Sequence, residues 1–580
     1  MKYCSMNLVN YRFKWMDVFI LIIMFAVLYS ILTLGANMNA PFSIEDQEKI
    51  SLAPLMLPYY AGRSLLRMFI AFAASLLFTL VYGYIAAKSQ KAEKILIPLL
   101  DILQSVPVLG FLSATITMFI ALFPGKIIGV ECAAVLAIFT GQAWNMTFSF
   151  YHSLLTVPKD LQEVADVLGM NWWQKFIKLE VPFSVIGLVW NSMMSFGGGW
   201  FFLAASEAIT VLGQNIRLPG VGSYLATAIE EGNLLAIDYS IFTMILMIVF
   251  VDQIFWRPLV VWSQKFKIEL TEAADLPSSF VYDAMKKSKV LCLCYRFFSK
   301  FVLNKINNYI NKMVTSSTQV YQKYRKYSQV QWLTLLLQLI VGIGFSCFMI
   351  QPVYQAYILV TSMDYKVLVD ILGLGFFTFG RVLLAILLGV VWTVPVGVWI
   401  GLNPKWSKLL QPIIQIVASF PANMMFPFIT ILFLNYHINF EFGSVALMML
   451  GTQWYILFNV IAGAMSIPND LHEAGAVFKL RGWLKWKVLI LPSIFPYMIT
   501  GIITASGGAW NASIVSEIIY WHANHLVATG LGAYISQVTE IGDWAGIIWG
   551  ITVMCLFVIV LNRFLWRRLY KLAEEKYHIG

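Results

Sequence analysis

Two segments of this 580-residue chain carry acidic residues at the same spacing. Neither segment has the combination of residues that a catalytic centre needs. They read Pro158-Lys-Asp-Leu-Gln-Glu-Val-Ala-Asp-Val-Leu-Gly169 and Pro468-Asn-Asp-Leu-His-Glu-Ala-Gly-Ala-Val-Phe-Lys479. In each segment an Asp (Asp160, Asp470) is expected to cap a helix whose first turn holds Glu163 or Glu473, because the positive helix end favours a carboxylate. Small residues beside the Glu allow another surface to approach closely. The pattern predicts two short, exposed helices that bind a partner.

The chain lacks the motifs of an enzyme. It contains no Gly-x-x-x-x-Gly-Lys-Ser/Thr phosphate loop, no Gly-x-Ser-x-Gly and no His-Glu-x-x-His. Its six cysteines are scattered, and Cys292-Leu-Cys294 has the wrong spacing for a zinc site. We therefore expect a non-enzymatic chain with no metal, no cofactor and no nucleotide-binding domain of its own.

The composition indicates a helical membrane protein. Hydrophobic residues make up 59% of the chain and charged residues only 12%, whereas about a quarter of a soluble protein is charged. Apolar runs such as 18–36, 68–87 and 333–350 are long enough to span a bilayer as helices. The net charge of +10 is typical of Lys and Arg gathered in cytoplasmic loops, so nucleic acid is not expected as a partner.

The chain contains an internal duplication. Residues 310 or 314 positions apart match repeatedly, as in Pro107 with Pro421, Glu163 with Glu473 and Trp200 with Trp510. At about 20 residues per span, the chain reads as an all-α polytopic membrane protein with about twelve transmembrane helices in two parallel six-span repeats. The predicted spans lie near 18–36, 64–87, 95–121, 129–150, 183–211, 237–259, 333–350, 373–401, 409–435, 443–464, 493–518 and 544–562.

Three regions follow from this reading. Residues 1–261 form the first repeat, an extra N-terminal span plus a five-span core, and residues 331–580 form the second. An even number of spans per repeat and the positive-inside rule put both termini and the basic connector, residues 262–330, in the cytoplasm. The connector is either an amphipathic helix on the anionic inner leaflet or a solvated linker. The sequence leaves both readings open.

The two acidic segments resemble the EAA loop of binding-protein-dependent ABC importer permeases. That pattern has Glu-Ala-Ala, then Gly six residues after the Glu and Pro nineteen after it. The segment 151–182 carries Glu163-Val164-Ala165, Gly169 and Pro182; the segment 465–492 carries Glu473-Ala474-Gly475, Lys479 and Pro492. The resemblance covers about residues 60–260 and 373–570.

The resemblance implies a type I ABC importer fold. The two loop helices would dock on two copies of a separate ATPase subunit, which would bind ATP and Mg²⁺. A periplasmic or lipid-anchored solute-binding protein would deliver the solute, and the chain would lie in the lipid bilayer of a bacterial inner membrane. Lys479 stands where the family has Gly, and a non-Gly residue in a left-handed turn costs about 1 kcal/mol or more. We therefore hypothesise that the first loop couples more tightly than the second.

Repeated small, proline and polar residues are candidates for a solute pathway. Gly pairs in the fifth spans permit close helix approach or an irregular backbone that lines a cavity, and a Pro should kink each third span. Helix packing explains the same residues more readily than contact with a solute does, because small residues are common at helix interfaces. The candidates are Pro107, Gln142, Gly197, Gly198, Trp200, Pro421, Gln453, Gly507, Gly508 and Trp510.

Four repeated charges are candidates for the outer mouth. Glu207 and Glu517 lie about 24 residues into the fifth spans, about 36 Å along a helix, and Arg67 and Arg381 lie near outer span ends. They would receive the binding protein or steer an anion, or they are ordinary solvated or headgroup-anchoring charges.

The cargo is defined only by resemblance. The fused arrangement, with Trp256-Arg257 and Trp566-Arg567 at the span ends, looks most like the duplicated permeases of the nitrate, sulfonate and taurine group. That implies a small anion such as nitrate, sulfonate, taurine or bicarbonate. The alternative is an ion-coupled secondary transporter, which usually places ionisable residues near mid-membrane. A membrane-embedded scaffold or transferase would need a catalytic cluster that the sequence does not offer.

Overall fold

The computed structural model describes residues 49–105, 108–211, 214–266, 279–288, 365–521 and 524–566, with scattered residues in 33–36, 296–312, 344–358 and 568–572. The predicted spans near 18–36 and 333–350, most of the connector, and Pro107 therefore lie outside the described residues.

The first repeat is built from long helices joined by short ones. Its elements are α1 (Leu57–Lys88), α2 (Gln90–Ser105), α3 (Leu112–Leu122), α4 (Ile128–Leu155), α5 (Lys159–Val167), α6 (Trp172–Lys175), α7 (Val181–Glu207), β1 (Ala208–Val211), β2 (Gln214–Arg217), α8 (Val221–Glu230), α9 (Leu234–Val251) and α10 (Arg257–Ser263). One helix of the connector follows, α11 (Phe280–Lys287).

The second repeat has the same order of elements. They are α12 (Tyr365–Gly401), α13 (Pro404–Ser419), α14 (Phe426–Asn435), α15 (Phe440–Met465), α16 (Asn469–Val477), α17 (Gly482–Lys485), α18 (Leu491–Ser516), β3 (Ile518–Trp521), β4 (Asn524–Val527), α19 (Leu531–Ile541) and α20 (Trp544–Leu561). Within the part of the chain that the structure describes, seven helices are long and apolar enough to cross a membrane, or eight if α13 and α14 form one bent span. This confirms a polytopic helical membrane protein.

The third span of each repeat is broken, which corrects the prediction of a kinked continuous helix. In the second repeat, α13 ends at Ser419, Pro421 precedes a 3₁₀ turn at Ala422–Met425, and α14 departs at 77°. In the first repeat α2 ends at Ser105, and a 3₁₀ turn at Val108–Phe111 precedes α3. Proline lacks an N–H donor and fixes its own φ, so it can end a helix as well as bend one.

The fifth spans end earlier in the chain than predicted. The helix α7 ends at Glu207 and α18 at Ser516, and each continues into an antiparallel hairpin instead of running to 211 or 518. In the hairpins Ala208 pairs with Arg217 and Ile518 with Val527. The β-branched residues Ile209 and Val211 suit a strand as well as an apolar helix, so hydropathy alone does not separate the two.

Each repeat inserts part of its broken third span into the core of the other. Val108, Leu112 and Ile116 of the first repeat are buried in the core that is formed mainly by the second repeat. In return, Met424 is buried among side chains of the first repeat, with Ile416 and Phe420 packed against them. The two repeats therefore share an interdigitated apolar core.

A buried ion cluster, the first cluster, joins α1, α4, α7 and α8. Arg67 donates from Nε and Nη2 to Glu131 at 2.5 and 2.8 Å, and from Nη1 to Glu207 Oε1 at 2.7 Å. Arg63 adds a bond to Glu131 at 2.6 Å. Ser64 Oγ donates to Glu207 at 2.5 Å and accepts from the backbone N–H of Val221 at 3.0 Å. The two formal positive charges thus match the two negative ones.

The second cluster repeats this arrangement with one cation fewer. Arg381 donates to Glu517 Oε1 at 2.9 Å and also pairs with Glu441. Thr378 takes the place of Ser64, donating to Glu517 at 2.8 Å and accepting from the Leu531 N–H at 2.7 Å. The position of Arg63 is Phe377, and the side chain of Glu441 is 39% exposed while that of Glu131 is 4% exposed.

These clusters correct the prediction of solvent-facing end charges. Arg67, Glu207 and Glu517 have no exposed surface, and Arg381 is 7% exposed. The carboxylate of Glu207 also accepts from the Gly222 N–H at 2.7 Å, at the start of α8, where the positive helix end favours it. All four side chains hold helices together, so none is available to bind a partner on the surface.

Replacing the central arginine is expected to destabilise either repeat strongly. Arg67→Met and Arg381→Met each leave two carboxylates without their shared cation, which costs about 3 to 5 kcal/mol for a buried pair. The measurement is the unfolding temperature of the purified chain in detergent. Arg63→Met is the matched control with a smaller expected loss, because Glu131 keeps Arg67. Equal unfolding temperatures for Arg67→Met and Arg63→Met would contradict this assignment.

Candidate functional site

A cavity of about 140 Å³ lies between the two repeats. Helices α4 and α7 of the first repeat and α15 and α18 of the second form its walls, and the broken third spans close it. Its lining includes Gln104, Thr140, Gly141, Trp144, Asn145, Met194, Gly197, Gly198, Phe201, Phe202, Gln415, Ser419, Pro421, Gly451, Thr452, Trp454, Tyr455, Thr504, Gly507, Gly508, Asn511 and Ala512. None of the described residues that line it is charged.

The cavity separates the predicted pathway residues into two groups. Gly197, Gly198, Pro421, Gly507 and Gly508 line it. The glycines of α7 let the repeats approach closely: a Cβ on Gly197 would lie 2.8 Å from Ser419 Oγ, and a Cβ on Gly198 would lie 2.9 Å from Tyr455 Oη.

The other four described pathway candidates lie behind the cavity wall. Gln142 is fully buried and donates to Met68 Sδ at 3.5 Å, and Gln453 accepts from Trp392 Nε1 at 2.9 Å. Trp200 and Trp510 are buried within the two apolar cores. None of these four is among the cavity-lining residues. They pack the repeats internally, which is the alternative that the sequence left open.

Sequence reasoning missed several polar residues of the cavity. Tyr455 and Asn511 follow directly after the repeated Trp454 and Trp510, one step around each helix. Asn511 Oδ1 accepts from the Val108 N–H at 2.9 Å, so it ties the broken third span of the first repeat to α18. Tyr455 and Asn511 correspond to Asn145 and Phe201 in the first repeat. Because the residue types differ, Tyr455 and Asn511 are not part of the repeated pattern.

The two walls of the cavity differ in polarity. Met194, Phe201 and Phe202 of α7 correspond, 310 positions on, to Thr504, Asn511 and Ala512 of α18. At these three positions α7 is therefore bulky and apolar, while α18 is smaller and carries hydroxyl and amide groups. The first repeat contributes its hydrogen-bonding groups from other positions, among them Thr140 and Asn145 of α4.

A short helix forms in each acidic loop. The first, α5, begins at Lys159 after Pro158, so Asp160 lies in the first turn and its side chain does not cap the helix, contrary to the prediction. The second, α16, begins at Asn469 in the same way after Pro468. Ala165 is buried, whereas Glu163, Val164, Val167 and Leu168 are exposed.

The second loop presents a similar surface with more strain. Glu473, Ala474, Val477 and Phe478 are exposed, and Gly475 is buried. Lys479 has φ +52°, matching Gly169 at +63°. Both residues end their helices with the same backbone bonds, so the left-handed turn inferred from the sequence is present at Lys479 without a glycine.

Each loop connects to the cavity through an uninterrupted run of helix. From α6 the chain passes through a π-helical turn at Phe176–Glu180 directly into α7, with Pro182 in its first turn. The second loop does the same through Trp486–Ile490 into α18, with Pro492. The loops sit at the N-terminal ends of α7 and α18, the ion clusters at the C-terminal ends, and the cavity glycines between them.

Within the described residues, no group of three or more His, Cys, Asp or Glu side chains is placed to hold a metal ion. The polar groups that converge on the cavity are neutral amides and hydroxyls. Such a site can bind a small solute by hydrogen bonds.

Comparison with known proteins identifies the family. The model of the binding-protein-dependent transport system inner membrane component matches residues 79–255 and 386–577. Similar proteins include the nitrate import permease protein NrtB of Leptolyngbya laminosa, 24% identical over 182 residues, 31% of this chain and 62% of that protein. The bicarbonate transport system permease protein CmpB of Synechococcus elongatus is 25% identical over 126 residues, 22% of this chain and 44% of that protein.

The taurine transport system permease protein TauC of Escherichia coli is 27% identical over 193 residues, 33% of this chain and 66% of that protein. The chain thus spans roughly half to two thirds of the length of these relatives. The family model matches twice, and its two copies cover more than half of the chain. The chain therefore belongs to the family of inner membrane components of binding-protein-dependent transport systems, the permeases of ABC importers.

Proposed function

We propose that this chain forms the translocation pathway of an ATP-binding-cassette importer for a small solute, and that both permease halves are contained in one polypeptide. The observation that carries the proposal is the uncharged cavity between the repeats, lined by α7 and α18. Each of these helices follows one of the exposed loop helices after a tight turn and a short helix, α6 or α17. A displacement of either loop would move a cavity wall.

In the proposed mechanism the loop helices α5 and α16 bind two copies of a separate ATPase subunit. Val164, Val167 and Leu168, with Val477 and Phe478 in the second loop, offer exposed apolar surface beside Glu163 and Glu473. When the ATPase subunits close, they would draw the loops together. The distance from Pro182 to Gly197 is about 23 Å at 1.5 Å per residue, all within one helix, so the movement reaches the cavity as a rigid tilt.

The polar groups of the cavity support a small solute that is bound weakly. A solute in transit must be released again, and neutral hydrogen bonds hold an anion less firmly than a fixed positive charge does. The relatives are named as nitrate, bicarbonate and taurine permeases. We infer a small anion of this kind, such as nitrate, a sulfonate, taurine or bicarbonate.

The remaining components of the transporter follow from this role. ATP and Mg²⁺ would bind to the ATPase subunits, and a periplasmic or lipid-anchored solute-binding protein would deliver the solute. We place the loops and both termini in the cytoplasm, and the ion clusters toward the periplasm. An ion-coupled secondary transporter, the alternative function, would leave two exposed loop helices without a use, and the family membership favours the importer.

The strained turn at Lys479 supports unequal coupling by the two loops. Glu163→Gln is expected to lower solute-stimulated ATP hydrolysis more than Glu473→Gln, because the first helix ends in an unstrained glycine turn. The two variants are matched in chemistry and position. Hydrolysis is measured with the reconstituted complex in liposomes, with and without the binding protein and solute. Equal losses would contradict the asymmetry.

The cavity assignment predicts different effects when two of the lining glycines, one from each repeat, are changed to alanine. Gly198→Ala places a methyl group against Tyr455 Oη, whereas Gly507→Ala adds a Cβ with nothing within 4 Å. We expect Gly198→Ala to reduce solute uptake by about tenfold, since a misplacement of about 1 Å in a binding site has effects of this order or larger. Gly507→Ala should change uptake by less than about twofold.

Uptake of radiolabelled nitrate, bicarbonate and taurine into proteoliposomes measures both variants, with the amount of assembled complex checked by co-purification of the ATPase subunit. Normal uptake by Gly198→Ala at equal assembly would place the pathway elsewhere.

A further inference from the structure

Among the described residues, two asparagines of the connector contact the first loop. Trp173 Nε1 donates to Asn307 Oδ1 at 2.9 Å, and Asn171 Nδ2 donates to Asn311 Oδ1 at 3.4 Å. Asn311 Nδ2 in turn donates to Asn307 Oδ1 at 3.4 Å. Asn307 and Asn311 are four positions apart within the helical residues 307–312, so they share one helix face.

The connector binds hydrogen-bonding groups of the first loop that are not used within the loop itself. Asn171 Oδ1 caps α6 by accepting from the Gln174 N–H at 2.8 Å, and Gln174 Oε1 in turn accepts from the Asn171 N–H at 3.2 Å. This capping box uses the carbonyl oxygen of Asn171 and leaves its amide nitrogen for Asn311. The ring of Trp173 stacks on Phe176 at 5.7 Å between centroids, which aims its indole N–H at Asn307.

The corresponding side chains of the second loop are exposed. Arg481 stands at the position of Asn171, is exposed and makes no side-chain cap for α17. Trp483 corresponds to Trp173 but is 72% exposed. Trp172, which lies 6.2 Å from Tyr84 between ring centroids, is replaced by Gly482. The sequence that would bind a connector is therefore present in one loop only.

Two further polar contacts brace the base of the first loop. Lys88, at the end of α1, pairs with Glu180, and Tyr151 Oη donates to Glu93 at 2.7 Å. Their counterparts in the second repeat are apolar or small: Leu402 with Ile490, and Ile461 with Ser407. The first loop is thus held by contacts at its base and at its tip. Neither set of contacts has a counterpart in the second loop among the described residues.

We propose that the connector is an intramolecular partner of the first loop, in which Asn307 and Asn311 are positioning residues that hold Trp173 and Asn171. The first loop is then braced by the connector before an ATPase subunit docks, while the second loop lacks this brace among the described residues. The contact itself is independent of the proposed function. Its consequence for coupling rests on that function, so the two are tested separately.

The contact is tested on the full chain in native membranes, without ATPase subunit or solute. In a background with the six cysteines replaced by serine, Asn171→Cys and Asn311→Cys are joined with a short bifunctional maleimide. Cross-linking is scored after cleavage at a protease site inserted within 313–330. The matched control pairs Arg481→Cys with Asn311→Cys. Strong cross-linking of the first pair and little of the second is expected; equal cross-linking of the two pairs, or none of the first, overturns the proposal.

The consequence is tested by a double-mutant cycle in the reconstituted transporter. Asn307→Leu removes the acceptor for the indole N–H and is expected to lower solute-stimulated ATP hydrolysis about fivefold, the effect of one neutral hydrogen bond. Trp173→Phe removes the donor and keeps the ring, so Asn307→Leu should have little further effect in that background. In the Trp483→Phe background Asn307→Leu should retain its full effect.

The outcomes separate the two claims. If Asn307→Leu acts equally in the Trp173→Phe and Trp483→Phe backgrounds, the positioning role is overturned. If the wild-type complex shows no solute-stimulated hydrolysis, the proposed function fails, while the cross-link still decides whether the connector binds the first loop.

Discussion

A guanidinium group that is buried away from water is costly unless opposite charges and hydrogen bonds compensate for the lost hydration. Arg67 meets this condition with Glu131 and Glu207, and Arg381 with Glu441 and Glu517. Each arginine thereby fixes α1 or α12 to the helix that follows the broken span and to the far end of the cavity-lining helix. The rest of each repeat is arranged around these fixed points.

The geometry of α7 and α18 follows from this anchoring. Each helix is held at its C-terminal end by a buried glutamate (Glu207) or the residue just beyond it (Glu517), and each begins at the opposite end in a loop that projects from the core. A helix held at one end and displaced at the other tilts about the held end. The cavity glycines lie between the two, where such a tilt changes the spacing of the walls.

The repeat, the helical membrane class and the position of the two loops could be predicted from the sequence because they depend on periodicity and local composition. Lys479 is the clearest example, since its left-handed φ was predicted from its position in the acidic loop, where the first loop has Gly169. The partners of Glu207 could not be predicted, since Arg67 and Ser64 lie about 140 positions earlier in the chain. A single sequence gives no information on such pairs, so the glutamate was assigned to the surface.

The cavity shows the same limit from another side. Repetition between the halves identified Gly197 and Gly507, but it also selected Trp200 and Trp510, because core packing repeats as faithfully as a binding surface does. Tyr455 and Asn511 were missed because they are not repeated. Residues that differ between duplicated halves are the ones that a search for matches discards, and here they define the chemistry of the cavity.

The different side chains that α7 and α18 present to the cavity affect the orientation in which a solute would pass along the proposed pathway. A channel between two identical subunits presents a two-fold axis to its contents, so a molecule with a distinct head and tail fits equally well either way round. Here Phe201 and Phe202 face one side and Thr504 and Asn511 the other, which removes that degeneracy. In the proposed pathway, an elongated solute with one polar end would therefore favour one orientation, its polar end toward α18, whereas a compact, symmetric ion would not sense the difference.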